Sequence, residues 1–159
     1  MSKIKTQMRD FESEDLSSVL SIMQKAMNIG RNVNTTIAAI RDLECEPSQR
    51  ATDYAFLRRK VITYKKRVVA ICGVYRLNTH PTGILGICWF AVDPQYQGMG
   101  IGTQCMKWSL DMIRETGSKC LFVWASGKAV PFYSKFGFMR SSLKLSPKES
   151  DILMIKEAE

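Results

Sequence analysis

A chain of 159 residues, 45% hydrophobic, 9% aromatic and 24% charged, is long and apolar enough for one globular domain; this composition excludes disorder, a collagen-like repeat and a disulfide-rich scaffold. Its 23 Lys and Arg against 15 Asp and Glu leave a formal net charge of +8, which favours acidic partners such as phosphates, nucleic acid or anionic surfaces without choosing among them. No apolar run reaches ~18 residues and the first ten residues hold no apolar segment, so we expect a soluble, cytoplasmic protein folded as a single domain over residues 1–159.

In chain order, the weak alternation over 4–9 predicts a short strand. Asp10 to Asp15 supply N-cap and first-turn residues ahead of Leu16, Val19, Leu20, Ile22 and Met23, whose spacing predicts a helix over about 14–28, with Gly30 ending it. Asn34-Thr35-Thr36 can cap a second helix bearing Ile37, Ile40 and Leu43 and limited by Pro47. The pattern then changes to strands: 55–64, a tight Lys65-Lys66 turn, 68–77, a turn through His80 and Gly83, and 84–92, together an antiparallel meander. Asp93-Pro94 stops the third strand. A Gly-rich segment follows, then a helix over 101–116 closed by Gly117, a buried strand over 120–124 and a short helix over 128–136 stopped by Gly137. Residues 138–143 and 152–155 predict a closing hairpin around Ser146-Pro147.

The five cysteines, Cys45, Cys72, Cys88, Cys105 and Cys120, are odd in number and widely spaced. Most lie in apolar stretches, so they read as reduced core residues. With His80 the only histidine and no C-x-x-C pair, no metal site is expected. Trp89, Trp108 and Trp124 read most simply as core residues.

The segment Val92-Asp93-Pro94-Gln95-Tyr96-Gln97-Gly98-Met99-Gly100-Ile101-Gly102-Thr103 joins a buried strand to a helix N-terminus. Amides without intrahelical partners converge at such a point, and glycines let an anion approach the backbone, so the turn suits a diphosphate. A P-loop would need G-x-x-x-x-G-K-[ST], and a dinucleotide fingerprint a third glycine where Thr103 stands; neither fits. The segment does carry Q/R-x-x-G-x-G/A as Gln97, Gly100 and Gly102. About 30 residues on, Ala129 to Phe138 carries A-x-x-F-Y-x-x-x-G-F, with Phe132 and Tyr133 as its aromatic pair.

With these motifs in this order the chain resembles the GNAT superfamily of N-acetyltransferases. The resemblance is strong over about 84–143, and the earlier residues agree in the order of their elements. It implies an α/β fold: a twisted mixed sheet, an antiparallel meander followed by βαβα, flanked by helices. It also implies acetyl-CoA as co-substrate, with Phe90, Ala91 and Val92 as the pantetheine strand and Gln97, Gly98, Met99, Gly100, Ile101, Gly102 and Thr103 as the pyrophosphate turn. Phe132 and Ser126 would complete the cofactor site, Ser126 standing where many members have Asn. Tyr133 would be the catalytic acid, because a phenol of pKa near 10 in hydrogen-bond reach can protonate a leaving thiolate.

The implied reaction moves an acetyl group to a primary amine by direct attack in a ternary complex. The alternative is a non-catalytic acyl-CoA-binding regulatory module. Near the site the candidate bases are Asp53, Asp93 and His80; Asp93 reads better as a turn former, His80 as a solvated turn residue, and a water relay serves equally. The acceptor is left open between a small molecule and a protein, and a homodimer is left open too. Residues 50–76 hold eight cations against Asp53 alone. The basic hairpin over 58–67 is thus either a solvated face or a site for an acidic acceptor, including nucleic acid.

Overall fold

The computed structural model of the chain describes residues 4–27, 54–142 and 151–159. In chain order come β1 (Thr6–Asp10), α1 (Leu16–Met27), β2 (Tyr54–Tyr64), β3 (Arg67–Leu77), β4 (Ile84–Val92), α2 (Ile101–Thr116), β5 (Cys120–Ser126), α3 (Val130–Ser134), β6 (Met139–Arg140) and β7 (Asp151–Glu157). The strands make one seven-stranded sheet in the order β1-β2-β3-β4-β5-β7-β6. Every neighbouring pair is antiparallel except β4–β5, which the crossover through α2 makes parallel. This is the mixed α/β sheet that the sequence predicts.

Local chemistry accounts for the elements. The two-residue loop between β2 and β3 puts Lys65 and Lys66 at φ 48° and 65°, the left-handed pair that a tight hairpin needs. Glu12 and Asp15 form a capping box ahead of α1, and Arg9 grips the Asp15 carboxylate at 2.7 and 2.8 Å. Amphipathic patterning decides which faces bury. Val19, Ile22 and Met23 of α1 pack on Val61, Ile71 and Ala91, while Met106, Met112 and Ile113 of α2 pack on Val74, Leu85, Leu121, Val123 and Met154 across the other face. Full burial of each such side chain contributes about 1.5–3 kcal/mol.

Two features of β4 position the site. It pairs with β5 only at Ile84↔Cys120, Leu85↔Leu121 and Gly86↔Phe122, after which the strands part. Gly86 is needed at the last contact, where a Cβ would stand 2.6 Å from both the Phe122 and Tyr75 rings. Toward β3 the register slips between Ile71↔Ala91 and Gly73↔Cys88, so β4 carries an extra residue. Trp89, at φ 50°, marks that bulge, which bends the strand where it leaves its neighbour.

Several expectations change. The helix predicted over 128–136 is α-helical only at Val130–Ser134, preceded by a 3-10 turn at Gly127–Ala129; Pro131 lacks an N–H in its first turn and Gly137 turns left-handed at φ 86°. The closing strands do pair, but β7 lies between β5 and β6, matched to β5 from Cys120↔Glu157 to Ser126↔Asp151. Trp124 is not a core residue: it is 37% exposed between buried Val123 and Ala125, because β5 presents alternate residues to opposite faces. Cys72 and Cys105 are buried and Cys88 and Cys120 partly so, all as free thiols. The predicted helix near 34–47, the turn at Ser146-Pro147, Gly30, Cys45 and Asp53 lie outside the described residues.

Candidate active site

Where β4 and β5 separate, a cleft of about 610 Å³ opens, lined by Phe90, Ala91 and Val92 from β4, by the turn after it, by Ser126 at the end of β5, and by Phe132. Ala26 and Met27 at the end of α1 and Lys128 complete the wall.

The turn leaves its backbone open. Gly98 and Gly100 sit at φ 78° and 82° with no atom within 4 Å of where a Cβ would point, so the backbone is bare there. Gly100 is the N-cap of α2 and offers no side-chain cap; the helical hydrogen bonds begin with the Gln104 amide on the Gly100 carbonyl at 3.1 Å. The amides of Ile101, Gly102 and Thr103 therefore lack intrahelical acceptors at the positive end of a 16-residue helix. Gln97 braces the approach: its side-chain amide donates to the Val92 carbonyl at 3.1 Å. The Asp93 amide donates to Val69 on β3, so by strand alternation the N–H of Val92 points away from β3, into the gap.

Tyr133 is not among the residues that line this cleft but packs directly behind two that do, Phe90 and Phe132. Its ring is 6% exposed and clamped edge-on by Phe90, Phe132 and Phe138 at centroid distances of 6.0, 5.3 and 5.5 Å. Burial, and secondarily the Cys105 thiol, push its phenol well above the ordinary value, so it holds its proton across the neutral range.

Most of the expected cofactor residues meet at this cleft. Two do not present side chains to it: Ile101 is 1% exposed and packs with Ile62, Val69 and Cys72, so that its backbone amide alone faces outward, and Met99 is 49% exposed outside the cleft lining.

The expected bases resolve differently. Asp93 caps its own turn by accepting from the Gln95 amide at 3.0 Å and lies 3.9 Å from Lys25. The His80 Nδ1 accepts from the Leu77 amide at 3.2 Å while the His80 amide donates to the Leu77 carbonyl, so the ring locks a turn rather than serving as a base. The basic hairpin is partly neutralised where it stands. Arg58 pairs with Glu115 and Lys60 with Asp10, at 3.4 and 2.8 Å, and the Arg59 guanidinium lies 4.6 Å over the Phe11 ring. Sequence reasoning put Trp124 in the core; the period-two pattern of β5 was the signal that it faces outward.

The acetyltransferase (GNAT) domain profile matches residues 55–140, more than half of the chain. The chain belongs to the GNAT acetyltransferase family. No curated protein matches it by sequence. Solved structures share its fold at low identity. Ard1 from Thermoplasma volcanium is 22% identical over 98% of this chain and 99% of that one, with a TM-score of 0.73. A GNAT-family acetyltransferase from Staphylococcus aureus Mu50 is 15% identical over 96% and 99%, with a TM-score of 0.75. The PaiA N-acetyltransferase from Thermoplasma acidophilum, solved in complex with coenzyme A, is 14% identical over 98% and 100%, with a TM-score of 0.72. The GNAT chain described here is thus an N-acetyltransferase whose described helices are none of them long and apolar enough to cross a membrane.

Proposed function

We propose that this GNAT acetyltransferase, a single domain over residues 1–159, moves an acetyl group from acetyl-CoA to a primary amine by direct attack in a ternary complex. The observation that carries the reading is the open N-terminus of α2, with bare amides and side-chain-free glycines at the mouth of the β4–β5 gap. Those donors fit a diphosphate, and the apolar cleft between Phe90, Ala129 and Phe132 fits the thin arm that follows it.

Acetyl-CoA supplies the acyl group as an activated thioester. The amides of Ile101, Gly102 and Thr103 would hold its phosphates, with Lys128 adding charge from across the cleft. The inward N–H of Val92 is placed to hydrogen-bond the arm or to polarise the reacting carbonyl. Tyr133 gives its proton to the departing sulfur as the carbon–sulfur bond breaks and the carbon–nitrogen bond forms. It regains one through water as the new amide nitrogen releases its own. Burial keeps the phenol protonated at physiological pH, so the proton is there to give, and it raises the cost of giving it. The free thiols of the described cysteines support a reducing, cytoplasmic setting.

The test is calorimetric titration with acetyl-CoA, followed by thiol release in the presence of amines. Binding that Gly100→Asp abolishes, with amine-dependent thiol release in the wild type, is the expected result. A chain that binds acetyl-CoA and never releases thiol with any amine would remove the catalytic half of the reading.

A further inference from the structure

Resting on that reading, the two sides of the gap can be told apart. On the α2 side, Phe90, Phe132, Phe138 and Tyr133 close into one aromatic cluster. On the other side, β5 turns outward its alternate residues Phe122, Trp124 and Ser126, and β7 turns out Asp151, Leu153 and Ile155, since Ile152 and Met154 belong to the core beneath α2. Trp124 stands two residues beyond the last β4–β5 pair, where the gap has just opened. Asp151 pairs with Ser126 and Leu153 with Trp124, so the Asp151 carboxylate is the diagonal neighbour of the indole on the same face. Phe122 continues the surface to Tyr75 and His80 at centroid distances of 5.9 and 5.6 Å.

We propose that this face receives the acceptor: Trp124 and Asp151 bind a monocationic amine carried on an apolar or aromatic body and aim its nitrogen into the β4–β5 gap, opposite Tyr133, where it gives its extra proton to water before it attacks. An exposed indole beside a carboxylate attracts an ammonium group through its ring face and through charge, while the Phe122–Tyr75 surface beyond it offers aromatic contact to the body that carries the amine. A polycation is also held off by the net charge of +8 on the chain. Trp124 and Asp151 are therefore specificity-determining residues, and their loss acts on the acceptor rather than on the cofactor.

The experiment pairs calorimetric titration of acetyl-CoA with thiol release in the presence of 2-phenylethylamine, spermidine or a lysine-bearing peptide. We expect 2-phenylethylamine to be used with a kcat/KM at least tenfold above either alternative. Trp124→Ala should raise its KM about tenfold while the acetyl-CoA dissociation constant moves less than twofold, and Trp124→Phe, which keeps a ring and guards against misfolding, should recover most of the loss. Asp151→Asn should raise the same KM about fivefold, with Asp151→Glu partly restoring it. The proposal is overturned if a chain that binds acetyl-CoA leaves 2-phenylethylamine unused or prefers spermidine or the peptide, or if Trp124→Ala leaves the acceptor KM unchanged. Failure of the wild type to bind acetyl-CoA would instead remove the transferase reading itself, and this proposal with it.

Discussion

Helices α1 and α2 begin in opposite ways. At α1 the Glu12 amide donates to the Asp15 carboxylate at 2.9 Å, the Asp15 amide donates to the Glu12 carbonyl at 2.9 Å, and Arg9 seals the carboxylate from outside. At α2 a left-handed glycine stands where a capping side chain would be, and its amides are left open. The far end of α2 sharpens the contrast. Gly117 has nearly the backbone conformation of Gly100, yet there the Gly117 and Ser118 amides close on the carbonyls of Arg114 and Ile113 at 3.2 and 2.9 Å. The same residue in the same conformation finishes a helix at one end and exposes a binding surface at the other. What separates them is whether the polar groups nearby are already satisfied.

The largest expected effect breaks the open end. Gly100→Asp places a carboxylate and a strained left-handed side chain among the bare amides, and acetyl-CoA affinity measured by calorimetry should fall at least a hundredfold, about 3 kcal/mol. Next comes the proposed proton donor. Tyr133→Phe keeps the packed ring, so thiol-release assays should show kcat lowered roughly 10–100-fold while the acetyl-CoA dissociation constant moves less than twofold. In the wild type, with the phenol pushed above its ordinary value, the rate should climb as the acceptor amine deprotonates and should not turn down by pH 10.

The closed ends should answer in stability and leave cofactor affinity unchanged. Asp15→Asn removes the charge that Arg9 and the Glu12 amide hold, and should lower unfolding stability by about 1–2 kcal/mol in urea titrations. The sign with pH follows from the same group. The Arg9 hydrogen bonds hold the Asp15 carboxyl below its ordinary value, against the opposing pull of burial. Its stabilisation is complete above the ordinary carboxylate range and disappears as the pH falls through the lowered value. The Asn variant should be flatter across that acid window. Gly117→Ala is the smallest change: a left-handed alanine costs about 1 kcal/mol and should lower the thermal midpoint by a few degrees, with acetyl-CoA binding untouched.

Much of this was legible in the residues. Asp93-Pro94 ends β4 and Gly117 ends α2 by chemistry confined to the backbone nearby, so both boundaries fall where the sequence puts them. The turn glycines between them announced an open, uncapped helix start for the same local reason. The bulge at Trp89 was not legible, because an extra residue in a strand shows only against the neighbour it fails to match. The turn role of His80 was legible, but the hydrogen bond its ring accepts from the Leu77 amide was not.

By itself the sequence determined the order of the described elements, the fold family and the glycine turn ahead of α2, since these rest on periodicity, capping and glycine conformations that act over a few positions. Only the tertiary structure decided that β4 and β5 part after Gly86, that Tyr133 is sealed into an aromatic clamp, and that Trp124 and Asp151 share a face. These depend on which strand lies beside which. Pairing between segments as distant as β5 and β7 is settled by the burial and register of the whole sheet, which no short stretch of residues contains.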